Sequence, residues 1–132
     1  IADDGIYHEP SVLKHIESYG QNIIKSFTPA QGKQIIAQKS ARELQNMLKL
    51  AKTVGTAKKA WVPEWGSAGK TSTAQTGEQT ELGTEKINAW FAGFAPYDDP
   101  KYVMAIIIED GTTGGSDAAP LFREVMEKIC NF

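Results

Sequence analysis

The segment Gly69-Lys70-Thr71-Ser72-Thr73 places one ammonium beside three consecutive hydroxyls. A lysine with hydroxyls on one strand can hold a carboxylate by charge-assisted hydrogen bonds. A phosphate loop also begins Gly-Lys-Thr, but it needs a glycine five residues earlier, where Glu64 stands, and a helix directly after. Residues 72–77, Ser-Thr-Ala-Gln-Thr-Gly, make a poor helix, so that reading fails. A nucleophilic serine activated by a lysine one helical turn away would read Ser-x-x-Lys at the start of a helix. Ser11…Lys14 and Ser67…Lys70 match those letters. The first follows Pro10 in a strand-like segment and the second merges with the Lys70 cluster. Neither opens an amphipathic helix. His8 and His15 are isolated, so no metal cluster is expected and no cofactor is implied.

The elements that must position Lys70 follow from periodicity. Residues 11–18 and 23–28 alternate imperfectly around the turn Tyr19-Gly20-Gln21-Asn22, which predicts a β-hairpin ended by Pro29. Ser40 and Glu43 form a capping box. Leu44, Met47, Leu48, Ala51 and Val54 then recur at helical spacing, predicting a helix over 41–53 stopped by Gly55. Small and β-branched residues over 66–75 lack that period. Stronger strands are expected at 87–95 and 102–109, with the turn Pro96-Tyr97-Asp98-Asp99-Pro100 between them. The nearly unbroken apolar run at 102–108 predicts a strand covered on both faces. A Gly/Thr loop at 110–115 leads to a last helix capped by Ser116 or Asp117. Its apolar stripe is Leu121, Phe122, Val125, Met126, Ile129 and Cys130. Cys130 thus reads as a small buried hydrophobe. Hairpin, helix, three strands and terminal helix make an α+β pattern: an antiparallel sheet with helices packed on it.

Composition sets outer bounds. A chain of 132 residues suits one compact domain. A net charge of −2 gives no electrostatic footprint for nucleic acid or an anionic membrane. No apolar run approaches the roughly 20 residues of a membrane span, and the opening Ile1-Ala2-Asp3-Asp4 is no signal peptide. One cysteine leaves no internal disulfide.

Several windows carry a resemblance. Ala68-Gly69-Lys70-Thr71-Ser72-Thr73-Ala74-Gln75 is similar, with one change, to A-G-K-T-G-T-A-Q, the third active-site motif of serine penicillin-recognising enzymes. Residues 89–96, Ala-Trp-Phe-Ala-Gly-Phe-Ala-Pro, resemble the family signature A-W-F-x-G-F-x-P. Asp99-Pro100-Lys101-Tyr102, Ala118-Ala119-Pro120-Leu121-Phe122 and the turn Gly55-Thr56-Ala57 also fit. So does Ala2-Asp3-Asp4-Gly5…Pro10-Ser11-Val12-Leu13-Lys14, an altered form of A-N-G-G…P-x-L-V-K. The chain thereby resembles, over nearly its whole length, the C-terminal portion of the transpeptidase domain of class B penicillin-binding proteins, with a β-lactamase/transpeptidase-like fold.

That resemblance implies a substrate: a peptidoglycan stem ending in D-alanyl-D-alanine, or a β-lactam mimicking it. It assigns catalytic roles to Lys70 and Thr73 and substrate binding to Lys70, Thr71, Ser72 and Thr73. The Thr73 backbone N–H would form half of an oxyanion hole, and such a donor contributes about 3–4 kcal/mol at the transition state. Lys70 would add positive potential around the nucleophile. Ser72 replaces the family's glycine, which lets the strand approach its neighbours without a Cβ. The nucleophile motifs normally lie upstream of Ile1, so the chain is expected to begin inside the domain and to be inactive alone. The expected parent is a membrane-anchored enzyme on the extracytoplasmic face of the bacterial cell membrane. Its partners would be stem peptides, β-lactams and the missing N-terminal part of the same domain, which supplies a strand beside 102–108. Without that strand, edge-to-edge or swapped dimers are expected. Three alternatives share the motif: a β-lactam-sensing receptor domain that binds without turnover, a β-lactamase, and a degenerate interaction module. A β-lactamase would need a deacylating base, which no residue here supplies.

Overall fold

The computed structural model describes residues 1–131, apart from the side chains of 51–54. In chain order the elements are β1 (Ile6–Tyr7), β2 (His15–Glu17), β3 (Ile23–Ser26), β4 (Lys33–Gln34), α1 (Gln38–Val54), β5 (Ala68–Gln79), β6 (Glu85–Ala95), β7 (Tyr102–Ile108) and α2 (Ala119–Cys130). A 3-10 turn, Lys58–Ala60, precedes β5, and a π-helical turn, Gly114–Ala118, leads into α2. The α+β expectation holds.

β5, β6 and β7 form one antiparallel meander with β6 in the middle. Its α2 side is the core. Phe91 and Phe122 pack with centroids 4.6 Å apart, and Val62, Met126, Ala118 and Ala119 close around them. Met104, Ile106 and Ile108 add their side of β7 to this cluster. The other residues of β7 do not pack inward: Val103 is 73% exposed and Ile107 43%. The expectation that this strand is covered on both faces is therefore corrected. Its continuous apolarity comes from a second face that no element among the described residues covers.

The terminal helix also departs from its predicted stripe. Phe122 and Met126 are fully buried, Val125, Ile129 and Cys130 are half-buried, and Leu121 is exposed. Cys130 is thus less enclosed than expected, though burial still pushes its thiol pKa up. Neither Ser116 nor Asp117 caps α2. The cap belongs to the preceding turn, where Thr113 Oγ1 accepts the Ser116 N–H at 3.1 Å. The Asp117 carboxylate instead accepts from the Thr112 N–H and the Ser116 hydroxyl, both at 2.5 Å, and ties the loop.

α1 begins at Gln38, so Ser40 lies inside the helix and the expected capping box is absent. The reason is tertiary. Gln38, Arg42 and Gln45, one face at i, i+4 and i+7, all donate to Asp4, with Gln38 Nε2 and Arg42 Nη2 each at 2.8 Å. These donors, Arg42 first, hold the Asp4 carboxyl down at about 2. The contact starts the helix earlier than local capping would. Leu48 on α1 is half-buried, but Leu44 and Met47 are exposed. The other two expected stripe positions, Ala51 and Val54, lie outside the described side chains.

The β2–β3 pair confirms the hairpin in a shorter form, around the turn bonds Gln21 N–H to Ser18 O and Ser18 N–H to Asn22 O. The β1–β4 pair, in contrast, has no two-residue periodicity long enough to be read from sequence.

Candidate active-site strand

Lys70, Thr71, Ser72 and Thr73 all lie on β5, an outer strand of the sheet. They line one groove of about 390 Å³ together with Thr56, Thr113, Gly114 and Gly115. The structure thus brings the four expected residues together. It adds two segments that sequence reading had not placed at the site. The Gly55-Thr56-Ala57 turn carries only a family resemblance in the sequence, and the 110–115 loop reads there as a connection.

Strand parity sorts the side chains. Thr71 pairs with Phe91, shares its face, and is 6% exposed. Ser72 pairs with Trp90 and Lys70 with Ala92, on the opposite, exposed face. From there the Lys70 ammonium folds back over the strand edge and donates to the Thr71 carbonyl at 2.5 Å.

The direction of the backbone groups follows from two glycines. A Cβ on Gly69 would stand 2.7 Å from the Ala92 carbonyl oxygen, and one on Gly93 2.6 Å from that of Ala68. Both oxygens therefore point between β5 and β6. In an antiparallel pair a residue turns its N–H and C=O to the same side. Residues 68, 70 and 72 thus exchange hydrogen bonds with β6. Residues 69, 71 and 73 turn theirs outward, to the edge that has no strand partner among the described residues. The Thr71 carbonyl met by Lys70 is one of these. The Thr73 N–H points out of the same edge into the groove.

Gly114 supports this strand from below. A Cβ there would meet the Trp90 carbonyl oxygen at 2.2 Å and the Ser72 oxygen and nitrogen at 2.6 and 3.0 Å. Close approach at Ser72 is thus made by a glycine beneath its backbone, while the Ser72 side chain stands on the open face. Thr56 hydrogen-bonds the Thr71 hydroxyl, and the Thr56 carbonyl is covered by Gly115, whose Cβ would lie 2.6 Å away.

The two serine-lysine spacings give no nucleophile. Residues 11–14 are neither helix nor strand. Ser67 is buried, donating to the Ala60 carbonyl at 2.8 Å and accepting the Val62 N–H at 3.2 Å, so its hydroxyl brackets the turn that precedes β5. His8 lies against Asp3 and His15 against Glu17, both on the surface.

The model of the penicillin-binding protein transpeptidase domain matches residues 1–127. The chain belongs to that family. It is 33% identical over 128 residues to the peptidoglycan D,D-transpeptidase PbpA of Mycolicibacterium smegmatis, covering 93% of this chain and 26% of the relative. It is 40% identical over 89 residues to the peptidoglycan D,D-transpeptidase MrdA of Haemophilus influenzae, covering 58% and 13%. Among solved structures, the imipenem acyl-enzyme complex of penicillin-binding protein A from M. tuberculosis superposes with a TM-score of 0.82 at 27% identity, over 98% of this chain and 28% of that one. The chain therefore spans about a quarter or less of the length of these relatives.

Proposed function

We propose that this chain is the part of one transpeptidase domain that carries the carboxylate-binding strand of a peptidoglycan D,D-transpeptidase. The observation that carries the reading is the β5 edge, where Lys70, Thr71 and Thr73 line one groove and the Thr73 N–H is directed outward. The Lys70 ammonium and the two hydroxyls would take the terminal carboxylate of a D-alanyl-D-alanine stem, or that of a β-lactam. The Thr73 N–H would receive the oxyanion of the tetrahedral intermediate. A serine elsewhere in the polypeptide would attack the penultimate D-alanine carbonyl and expel the terminal D-alanine. It would then pass the acyl group to an amine of a second stem. The names of the relatives support this reading: two are called D,D-transpeptidases, and one solved neighbour is an acyl-enzyme. The setting that follows is the extracytoplasmic face of a bacterial membrane, where stem peptides are. The outward edge of β7 would take a further strand, from the rest of the domain or from a second copy.

The test is acylation of the full-length protein by a labelled penicillin. Lys70→Ala should slow it strongly, and Thr71→Ala and Thr73→Ala less, because a charge-assisted contact is worth more than a neutral one. Equal rates for Lys70→Ala and wild type would remove Lys70 from the site.

A further inference from the structure

We infer that Thr56 is a positioning residue for carboxylate recognition, acting by fixing which way the Thr71 hydroxyl proton points; this rests on the reading of β5 given above. Thr71 is 6% exposed, and its hydroxyl is held by that of Thr56 across 15 residues of chain. A hydroxyl has one proton and two lone pairs. A carboxylate only accepts. Thr71 can serve it only with its own proton, so its contact with Thr56 must be an accepted bond. Thr56 is then the donor. Remove that donor and nothing holds the Thr71 lone pair, so the hydroxyl rotor is free to turn its proton away from the carboxylate.

The surroundings make Thr56 a fixed donor. It stands on the turn that follows α1, and the Thr56 carbonyl is overlaid by Gly115 so closely that a Cβ there would come within 2.6 Å. Thr56 is thus clamped between the 113–115 loop and β5, and all three line the groove. The hydroxyl pair links the end of α1 to the strand that holds Lys70. Threonine and serine can supply this bond; valine, of nearly the same shape, cannot.

The test uses the full-length protein and two probes: benzylpenicillin and its methyl ester, which lacks the free carboxylate. Thr56→Val should slow acylation by benzylpenicillin about 3- to 10-fold, the range of one net hydrogen bond. It should leave the already slow reaction with the ester unchanged, and Thr56→Ser should restore the wild-type rate. In a Thr71→Val background, Thr56→Val should have no further effect. Equal slowing with acid and ester, or an undiminished effect in the Thr71→Val background, would overturn the inference. The reading of β5 fails separately, by a Lys70→Ala variant that acylates like wild type. If Lys70→Ala is impaired and Thr56→Val is not, only the role of Thr56 falls.

Discussion

Gly114 lies beneath the hydrogen-bonded pair Ser72–Trp90, and replacing it by alanine should damage stability and site together. The added methyl would start 2.2 Å from the Trp90 carbonyl oxygen and 2.6 Å from that of Ser72. Both obstacles are backbone, so no side chain can swing away. Relief to an ordinary contact of about 3.2 Å requires a relative shift of about 1 Å between the π-helical turn and the sheet. Overpacking of this kind costs about 1–3 kcal/mol; with two backbone oxygens in the way, the upper half of that range is expected, about 2–3 kcal/mol. Gly20→Ala is the matched control. A Cβ there meets only the Asn22 amide nitrogen, at 3.5 Å, so its effect should stay within about 0.5 kcal/mol. Denaturant unfolding of both variants and wild type gives the difference, and penicillin acylation of the same substitutions in the full-length protein reports the site. A Gly114→Ala variant as stable as Gly20→Ala would show that the turn does not bear on β5 as described.

Three further outcomes are expected. Incubation of residues 1–132 alone with penicillin should give no covalent adduct by intact mass spectrometry, because Ser67 is committed to Ala60 and Val62; a stoichiometric, hydroxylamine-sensitive adduct would mean that a nucleophile lies within the chain. Asp4→Asn should lower the thermal midpoint near neutral pH. Because the folded Asp4 carboxyl titrates at about 2, below its usual 3.8, its stabilising contribution is full above pH 3.8 and is lost as pH falls through 2, so the gap to wild type should close over that window in a pH series of melts. Val103→Lys, on the uncovered face of an edge strand, should reduce self-association of the chain in sedimentation velocity; a wild-type chain that stays monomeric at high concentration would contradict the open edge.

The sheet and both helices were legible because their signals are local and repeated: Trp90-Phe91 and the isoleucines of β7, and the spacing of Phe122 and Met126. The strand motif could be read for the same reason, since four informative residues are adjacent. What sequence did not show depends on distant partners. The start of α1 is set by Asp4, 34 residues from Gln38 in the chain. β1 and β4 are two residues each and exist only as each other's partner. Thr56 belongs to the site through one bond to a residue 15 positions away. Apolar runs carried a different ambiguity. Hydrophobicity on β7 and at Leu44, Met47 and Leu121 marks surfaces suited to contact, and this chain covers only some of them.

Over residues 68–73 of β5, the even residues spend their main-chain groups on β6 and the odd ones turn theirs to the outer edge. The donor at Thr73 is therefore a property of where the chain runs and not of the threonine. Any amino acid but proline would keep it there. Substitution can reshape what surrounds the groove, as Ser72 already does, and can alter affinity for one carboxylate ligand over another. Short of proline, it cannot delete that N–H. Only a slip of one residue in the β5–β6 register would, by exchanging the two sets of groups, and Gly69, Gly93 and Gly114 hold the register at close contacts where such a slip would bring side chains against backbone.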